Sequence, residues 1–330
     1  MNYYIADSHF GHTNVIKFDE RPFADVEEMD RVMIKRWNEV VSDDDDVYIV
    51  GDFCCRSEHP VDWYLAQLLG RKHLIVGNHD WPTVQDEKTM ALFDSVDSMM
   101  MVEDCGRKIV LCHYPMTEWF GSRKKSAWHV YGHIHNQRSK TYEFMRTVDR
   151  ALNAGAPIVD YRPVSFTKLV RYNQCFNDEA EGEVWFSIRS LRCREFSNFY
   201  LAPFTLDGET WNCVEQFYQC AKFGRGSEPY NRIRSQERPG GMKGLASCYA
   251  AERRVDWDIV KIGIMERALC AKFSQNPHLL DIYAKVSRLT LIHESPEDTF
   301  WGMSRERKGE NRLGMMIKTV CDGLLGGKVP

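Results

Sequence analysis

Five short apolar runs, each ending in a polar cluster, constrain the first half of this chain more than any other feature. Tyr3-Tyr4-Ile5 leads to Asp7-Ser8-His9, Val47-Tyr48-Ile49-Val50 to Gly51-Asp52, and Leu74-Ile75-Val76 to Gly77-Asn78-His79-Asp80. Ile109-Val110-Leu111 leads to His113, and Val130-Tyr131 to Gly132-His133-Ile134-His135. Short runs rich in β-branched residues and closed by a turn residue predict buried strands. Side chains at the carboxyl ends of such strands gather along one edge of a sheet, where open α/β folds hold their ligands. Nine of the 11 histidines fall before residue 136, which predicts a metal site rather than scattered core imidazoles.

The donor set narrows the chemistry. Asp7, His9, Asp52, Asn78, His113, His133 and His135 offer imidazole, carboxylate and amide groups and no thiolate. Such a mixed set suits Mn²⁺, Fe, Zn²⁺ or Ni²⁺ better than it suits a pure calcium or magnesium cage. Seven donors exceed one tetrahedral ion and fit two ions sharing a carboxylate. Two metals roughly 3.5–4 Å apart can activate a water and clamp both oxygens of an in-line phosphoryl displacement. His79, beside the candidate ligand Asn78, is expected to protonate the leaving alkoxide. His12 reads either as a substrate contact or as a cap on the following helix, and His59, His73 and His129 read as surface or packing residues.

These motifs resemble the calcineurin-like metallophosphoesterase family. The pattern DxH…GD…GNH[DE]…H…GHxH stands here as Asp7-Ser8-His9, Gly51-Asp52, Gly77-Asn78-His79-Asp80, His113 and Gly132-His133-Ile134-His135. The resemblance runs over roughly residues 1–172 and implies an α/β fold, a four-layer αββα sandwich. It implies that one metal takes Asp7, His9 and His135, the other takes Asn78, His113 and His133, and Asp52 bridges them. Arg56 falls where relatives carry a phosphate-contacting arginine, although Phe53-Cys54-Cys55 departs from their GDxxDR pattern.

Length and composition add a second domain. A chain of 330 residues exceeds one ordinary core. The acidic stretch Asn177–Glu183 reads as a solvated linker between a domain at 1–176 and another at 184–330. Residues 1–176 carry 21 Lys+Arg against 26 Asp+Glu, a net of −5, and the remainder carries 22 against 21, a net of +1. Neither half has the basic excess of a dedicated duplex-DNA binder. Eleven scattered cysteines without a CxxC pair read as reduced thiols, which predicts a cytoplasmic protein. No secretory leader and no membrane association are expected.

The second half has two histidines and abundant Trp, Phe, Tyr and Arg. Helical spacing of Val214, Phe217, Tyr218 and Ala221 predicts a helix over 212–223. Further helices are expected at 259–273, terminated by Asn276-Pro277, and at 315–325. Phe196–Tyr200 and Ala202–Phe204 read as strand and turn pieces.

These pieces resemble the NADAR (YbiA-like) family over roughly residues 184–326. The matching blocks are FSNFY.APF at 196–204, W…VEQFYQCAKF at 211–223, Trp257, Lys261 and Met265, KF.QNP at 272–277, and D..WG…G.N.LG at 298–314. The resemblance implies a mainly α (α+β) domain that cleaves an N-glycosidic bond of an ADP-ribosyl, NAD-derived or ribosylamine substrate. It implies Glu215, Trp257 and Asp298 as catalytic-site residues, with Trp301, Gly302 and Asn311 lining the ribosyl pocket. The usual Glu-His of the first helix is Glu215-Gln216 here, and the usual Thr-Gly after Leu279 is missing. Carboxylates facing a sugar can stabilise positive charge at C1′, Trp257 can stack on a base, and a desolvated Lys222 is a candidate Schiff-base nucleophile. The expectation is a bifunctional hydrolase acting on nucleotide or ADP-ribosyl small molecules, with ADP-ribosylated nucleic acid as a further candidate partner. The alternative is a phosphoesterase carrying a non-catalytic ADP-ribose reader.

Overall fold

A computed structural model describes residues 1–124 and 126–327. The chain divides into two compact units, Met1–Asn177 and Asp178–Pro330.

Among its described residues the first unit holds nine strands: β1 Asn2–Ile5, β2 Asp46–Ile49, β3 Arg71–Ile75, β4 Ser95–Asp97, β5 Met99–Asp104, β6 Arg107–Cys112, β7 Ala127–Tyr131, β8 Ala151–Asn153 and β9 Val164–Ser165. One sheet has the order β4-β3-β2-β1-β9 and the other β5-β6-β7-β8. β1 to β4 are parallel, with Tyr3 opposite Val47 and Val47 opposite Lys72. β6, β7 and β8 are parallel as well, and only β9 and β5 run against a neighbour. The apolar runs become strands because both of their faces are covered, as expected for parallel sheets. Tyr4, Val47, Ile49, Leu74, Ile75, Ile109, Leu111 and Val130 are fully buried and belong to one core shared by the two sheets. Helix Val26–Asn38 adds Met29, Met33 and Trp37 to this core, and helix Phe166–Ala180 adds Phe166 and Leu169. Because β1, β2 and β3 share a direction, as do β6 and β7, their carboxyl ends deliver all five motifs to loops of one kind.

The second unit is mainly helical around its own core. β10 Glu183–Phe186 pairs in parallel with β13 Thr290–His293, and β11 Phe204–Leu206 forms a hairpin with β12 Glu209–Trp211. The hairpin turns on Asp207-Gly208, both at positive φ, as a tight two-residue turn requires.

Several boundaries differ from the sequence expectation. The stretch 177–183 is not an irregular linker: helix Phe166–Ala180 runs through it and β10 opens at Glu183. Asp178 is held there by Arg305, whose Nη1 lies 2.9 Å from Oδ2. The first helix of the second unit is shorter than expected, Val214–Cys220, while others are longer, Trp257–Gln275 and Arg312–Leu325. Asn276-Pro277 ends one helix and starts the next, Pro277–Val286, since proline fits the first turn of a helix. Phe196 closes a 3₁₀ turn, Arg194–Phe196, rather than a strand.

Candidate functional site

Loops after five strands bring the seven predicted ligands of the first unit together. His9 Nε2 lies 3.2 Å from His135 Nε2 and 3.5 Å from Asp52 Oδ2. His113 Nε2 is 3.5 Å from the same Asp52 oxygen and 3.2 Å from Asn78 Oδ1, which also lies 2.9 Å from His133 Nδ1. Asp7 Oδ1 accepts from the His133 backbone N–H and lies 3.6 Å from His135 Nε2. One donor atom from each of Asp7, His9, Asp52 and His135 lies within 4.8 Å of all the others.

Tight backbone geometry achieves this convergence. Asp7, His9, Asp52, His133 and His135 all have φ between 49° and 70°, a region that costs a non-glycine residue energy and clusters at functional sites. The glycines beside them leave room. A Cβ on Gly77 would stand 2.3 Å from Asp52 Oδ1, and one on Gly51 would stand 2.2 Å from His113 Nδ1.

Electrostatics within the cluster are conflicted. Burial pushes the Asp7 carboxyl up, against the pull of His135 and His113. Burial and the neighbouring His135 drive His9 down to about 2. For His113 burial lowers the pKa, but the Asp52 hydrogen bond and the charge of Asp7 outweigh it and raise the group to about 9. Asp52 in turn is held at about 2, because His113 outweighs its desolvation. Buried Asp7 Oδ2 and His9 Nδ1 have no hydrogen-bond partner among the described residues. Ring nitrogens facing each other and orphaned carboxylate oxygens are what cations would satisfy, and the N/O donor set fits two divalent ions.

Three supporting residues were not legible as site residues. Asp19 accepts from His135 Nδ1 at 2.8 and 2.9 Å, fixing that ring's other nitrogen inward. Arg21 binds Asp19 and donates to the carbonyls of Asp7 and Ser8. Asp80 is fully buried and accepts from the backbone N–H groups of Gly77, Asp52 and Phe53, tying two ligand loops together. Asp80 closes the motif Gly77-Asn78-His79-Asp80 but carried no signal of this role, and Asp19 and Arg21 lie outside every motif.

His79 is exposed, and its backbone N–H donates to Asp52 Oδ1 at 2.8 Å. Its Nδ1 is 3.5 Å from Cys55 Sγ. Arg56, also exposed, lines a cavity of about 460 Å³ with Asn78, His79 and Cys55. A second cavity of about 710 Å³ is lined by Phe18, Asp19, Tyr114, His133 and His135. His12 does sit at a helix N-cap, but its side chain makes no capping hydrogen bond.

In the second unit Glu215, Trp257 and Trp301 are buried to within 7% of full cover. Gln219 Nε2 donates to Glu215 Oε1 at 2.7 Å. Burial pushes the Glu215 carboxyl up, opposed by that hydrogen bond and by the charges of Lys243 and Lys222, and Asp298 pushes it further. Tyr218 packs edge-on to both Trp257 and Trp301 and accepts a hydrogen bond from Trp301 Nε1. Lys222 Nζ stands 5.5 Å from the ring centres of Tyr218 and Trp257, and burial lowers its pKa. Asp298 Oδ1 accepts from the Trp301 backbone N–H at 2.9 Å, which orients the carboxylate.

Two residues expected to line the pocket do other work. Asn311 uses its amide on the backbone, accepting from His293 N and donating to Leu291 O. Gly302 lies so close to His293 O and Asp298 O that a Cβ would stand 2.9 and 3.1 Å away. Gln216, in place of the usual histidine, is fully buried and binds Asn212 N, Arg234 O and the Arg234 guanidinium, away from Glu215. Sequence reading missed two buried acceptors without partners among the described residues, Asn198 Oδ1 and Gln219 Oε1. Their residues adjoin Glu215, whose N–H donates to Asn198 O.

The sequence profile of the NADAR domain matches residues 185–325. N-glycosidase YbiA of Escherichia coli (strain K12) is 32% identical over 131 residues, 39% of this chain and 81% of that protein. The chain belongs to the NADAR family. Another NADAR-length match, riboflavin biosynthesis protein PYRR of Zea mays, is 34% identical over 149 residues, 40% of this chain but only 23% of that protein. The uncharacterized protein MJ1445 of Methanocaldococcus jannaschii is 32% identical over 171 residues, 51% of this chain and 89% of that protein.

Proposed function

We propose that the chain carries two hydrolytic sites: an N-glycosidase in the NADAR unit and a dimetal phosphoesterase, built on a four-layer αββα sandwich, in the first unit. The names of the relatives support the first activity, since YbiA is an N-glycosidase. The observation that carries the second is the convergence of seven N and O donors from five strand ends, four of them within 4.8 Å.

In the NADAR unit the substrate is a ribosylamine or ADP-ribosyl compound. Burial biases Glu215 toward its protonated form, the form able to hand a proton to a departing amine. Asp298, fixed by its Trp301 N–H bond, faces positive charge developing at C1′. Tyr218, Trp257 and Trp301 supply an aromatic wall against the leaving base. Asn198 Oδ1 and Gln219 Oε1 offer acceptors for ribose hydroxyls.

In the first unit Asp7, His9 and His135 would hold one divalent ion, Asn78, His113 and His133 a second, with Asp52 between them. Two such ions, drawn from Mn²⁺, Fe, Zn²⁺ or Ni²⁺, would supply Lewis acidity and a nucleophile at neutral pH when bound. His79 hands its proton to the leaving oxygen, oriented through its N–H bond to Asp52 and the Cys55 contact at Nδ1. Arg56, in the same cavity, pairs with a phosphate oxygen. Asp19 and Asp80 act as positioning residues.

Full-length protein assayed with and without chelator tests both halves together. Hydrolysis of bis-p-nitrophenyl phosphate should require added metal, and base release should not. Metal-independent diester hydrolysis would overturn the phosphoesterase reading, and failure to release any base would overturn the glycosidase reading.

A further inference from the structure

Beside the candidate dimetal centre lies a second cluster, which shares His9 with it and adds Cys55 and the otherwise unused His12. One donor atom from each of His9, His12 and Cys55 lies within 4.8 Å of the other two, and all three residues are buried. His12 is 8% exposed, and both of its ring nitrogens are buried without a hydrogen-bond partner among the described residues. A buried imidazole with neither nitrogen satisfied is costly, and such a group calls for a ligand. His9 turns Nε2 toward His135 and Asp52, and its Nδ1 is likewise unpartnered. Cys55 brings a soft sulfur donor to this cluster. The cavity that Cys55 lines with Asn78 and His79 opens a route from solvent.

We propose that His12 and Cys55, with the shared His9, form an adjoining N₂S position for a thiophilic divalent cation, with Zn²⁺ as the ion tested. Imidazole nitrogen and thiolate sulfur are both zinc donors, and three of them leave a fourth position open. Binding releases the Cys55 thiol proton to solvent as the sulfur–metal bond forms, and the ring proton of His9 leaves with it when Nε2 already holds the neighbouring ion, with no change of oxidation state. Hard ions such as Mn²⁺ or Mg²⁺ gain little from the sulfur, so the position discriminates by softness. Because His9 belongs to both clusters and His79 Nδ1 touches the same sulfur, a cation here reshapes the neighbouring site. The proposal goes beyond the phosphoesterase reading and does not rest on it: a chain with no hydrolytic activity would still bind this cation.

The test uses the reduced, chelator-stripped full chain titrated with Co²⁺. A sulfur-to-cobalt charge-transfer band should grow in the near ultraviolet and disappear on Zn²⁺ addition. Cys55→Ser should abolish it, His12→Ala should reduce it at least severalfold, and Cys54→Ser should leave it intact. Metal analysis should show Cys55→Ser binding one equivalent of Zn²⁺ fewer than wild type. No band in Co²⁺-saturated wild type, or an equal band in Cys55→Ser, overturns the proposal. Should Cys55→Ser fail to fold, wild type alone decides through peptide-mapped alkylation. Zn²⁺ should slow labelling of Cys55 at least severalfold and leave exposed Cys105 unchanged. Equal labelling of Cys55 with and without Zn²⁺ overturns it.

Discussion

Asp80→Ala tests whether one buried carboxylate sets the geometry of the first unit's ligand loops. Asp80 is fully buried and accepts three backbone N–H bonds, from Gly77 at 2.8 Å, Asp52 at 2.8 Å and Phe53 at 2.9 Å. Truncation strands three buried donors, each at about 1–3 kcal/mol. Water entering the vacated space recovers part of this, so about 3–5 kcal/mol of the possible 3–9 applies. For a unit of this size each kcal/mol lowers Tm by about 2–4 °C, which gives a drop of about 6–20 °C. The loops carrying Asp52 and Asn78 lose their common anchor, so divalent-ion affinity should fall by about 10–100-fold, as expected for outer-shell partners. Calorimetry of the full chain reads the first quantity, and isothermal titration with Mn²⁺ the second. Asp80→Asn, which keeps one acceptor oxygen, should fall between. An Asp80→Ala variant melting within about 1 °C of wild type and binding Mn²⁺ equally would refute the positioning role.

Four further predictions follow from named groups. His79→Ala should retain its bound metal and lose about 10²–10⁴-fold in diester hydrolysis, less for p-nitrophenolate leaving groups; metal loss on this change would make His79 a ligand. Asp52→Asn should lose most of the diester hydrolysis and at least one metal by elemental analysis, because the charge proposed to lie between two dications disappears. Glu215→Gln should keep the wild-type melting curve yet lose base release from an ADP-ribosylated guanine or a ribosylamine, whereas Gln216→Ala should chiefly lower stability. His129 is fully buried and its pKa is lowered from 6.5 by burial, so the unfolded chain takes up its proton first. Its contribution is therefore complete above pH 6.5 and lost as pH falls below that value, and His129→Gln should flatten urea-denaturation stability between pH 6.5 and 5.

The strands of the first unit were readable because parallel strands buried on both faces leave continuous apolar runs, and their polar ends mark the site directly. Asp19 escaped notice because it lies in a loop 116 residues from the histidine it orients, with no local pattern to betray it. The helix Pro277–Val286 was hidden because proline signals both an end and a beginning. In the NADAR unit Glu215 and Trp257 were named from the sequence, but their surroundings were not. Asn198 and Gln219 are ordinary polar residues until the fold buries their oxygens beside Glu215. Asn311 has a role that its motif did not reveal, since its amide locks a helix start to β13.

The most direct test of two independent hydrolytic sites is base release by the full chain in excess EDTA, followed by chromatography of the freed base from an ADP-ribosylated guanine or a ribosylamine. Wild type should release the base at an unchanged rate in chelator while its diester hydrolysis falls to background, and Glu215→Gln should release none. Base release that stops with the metal, or proceeds equally in Glu215→Gln, would contradict the account. Tight binding of ADP-ribose with no release in either protein would make the NADAR unit a reader instead of an enzyme.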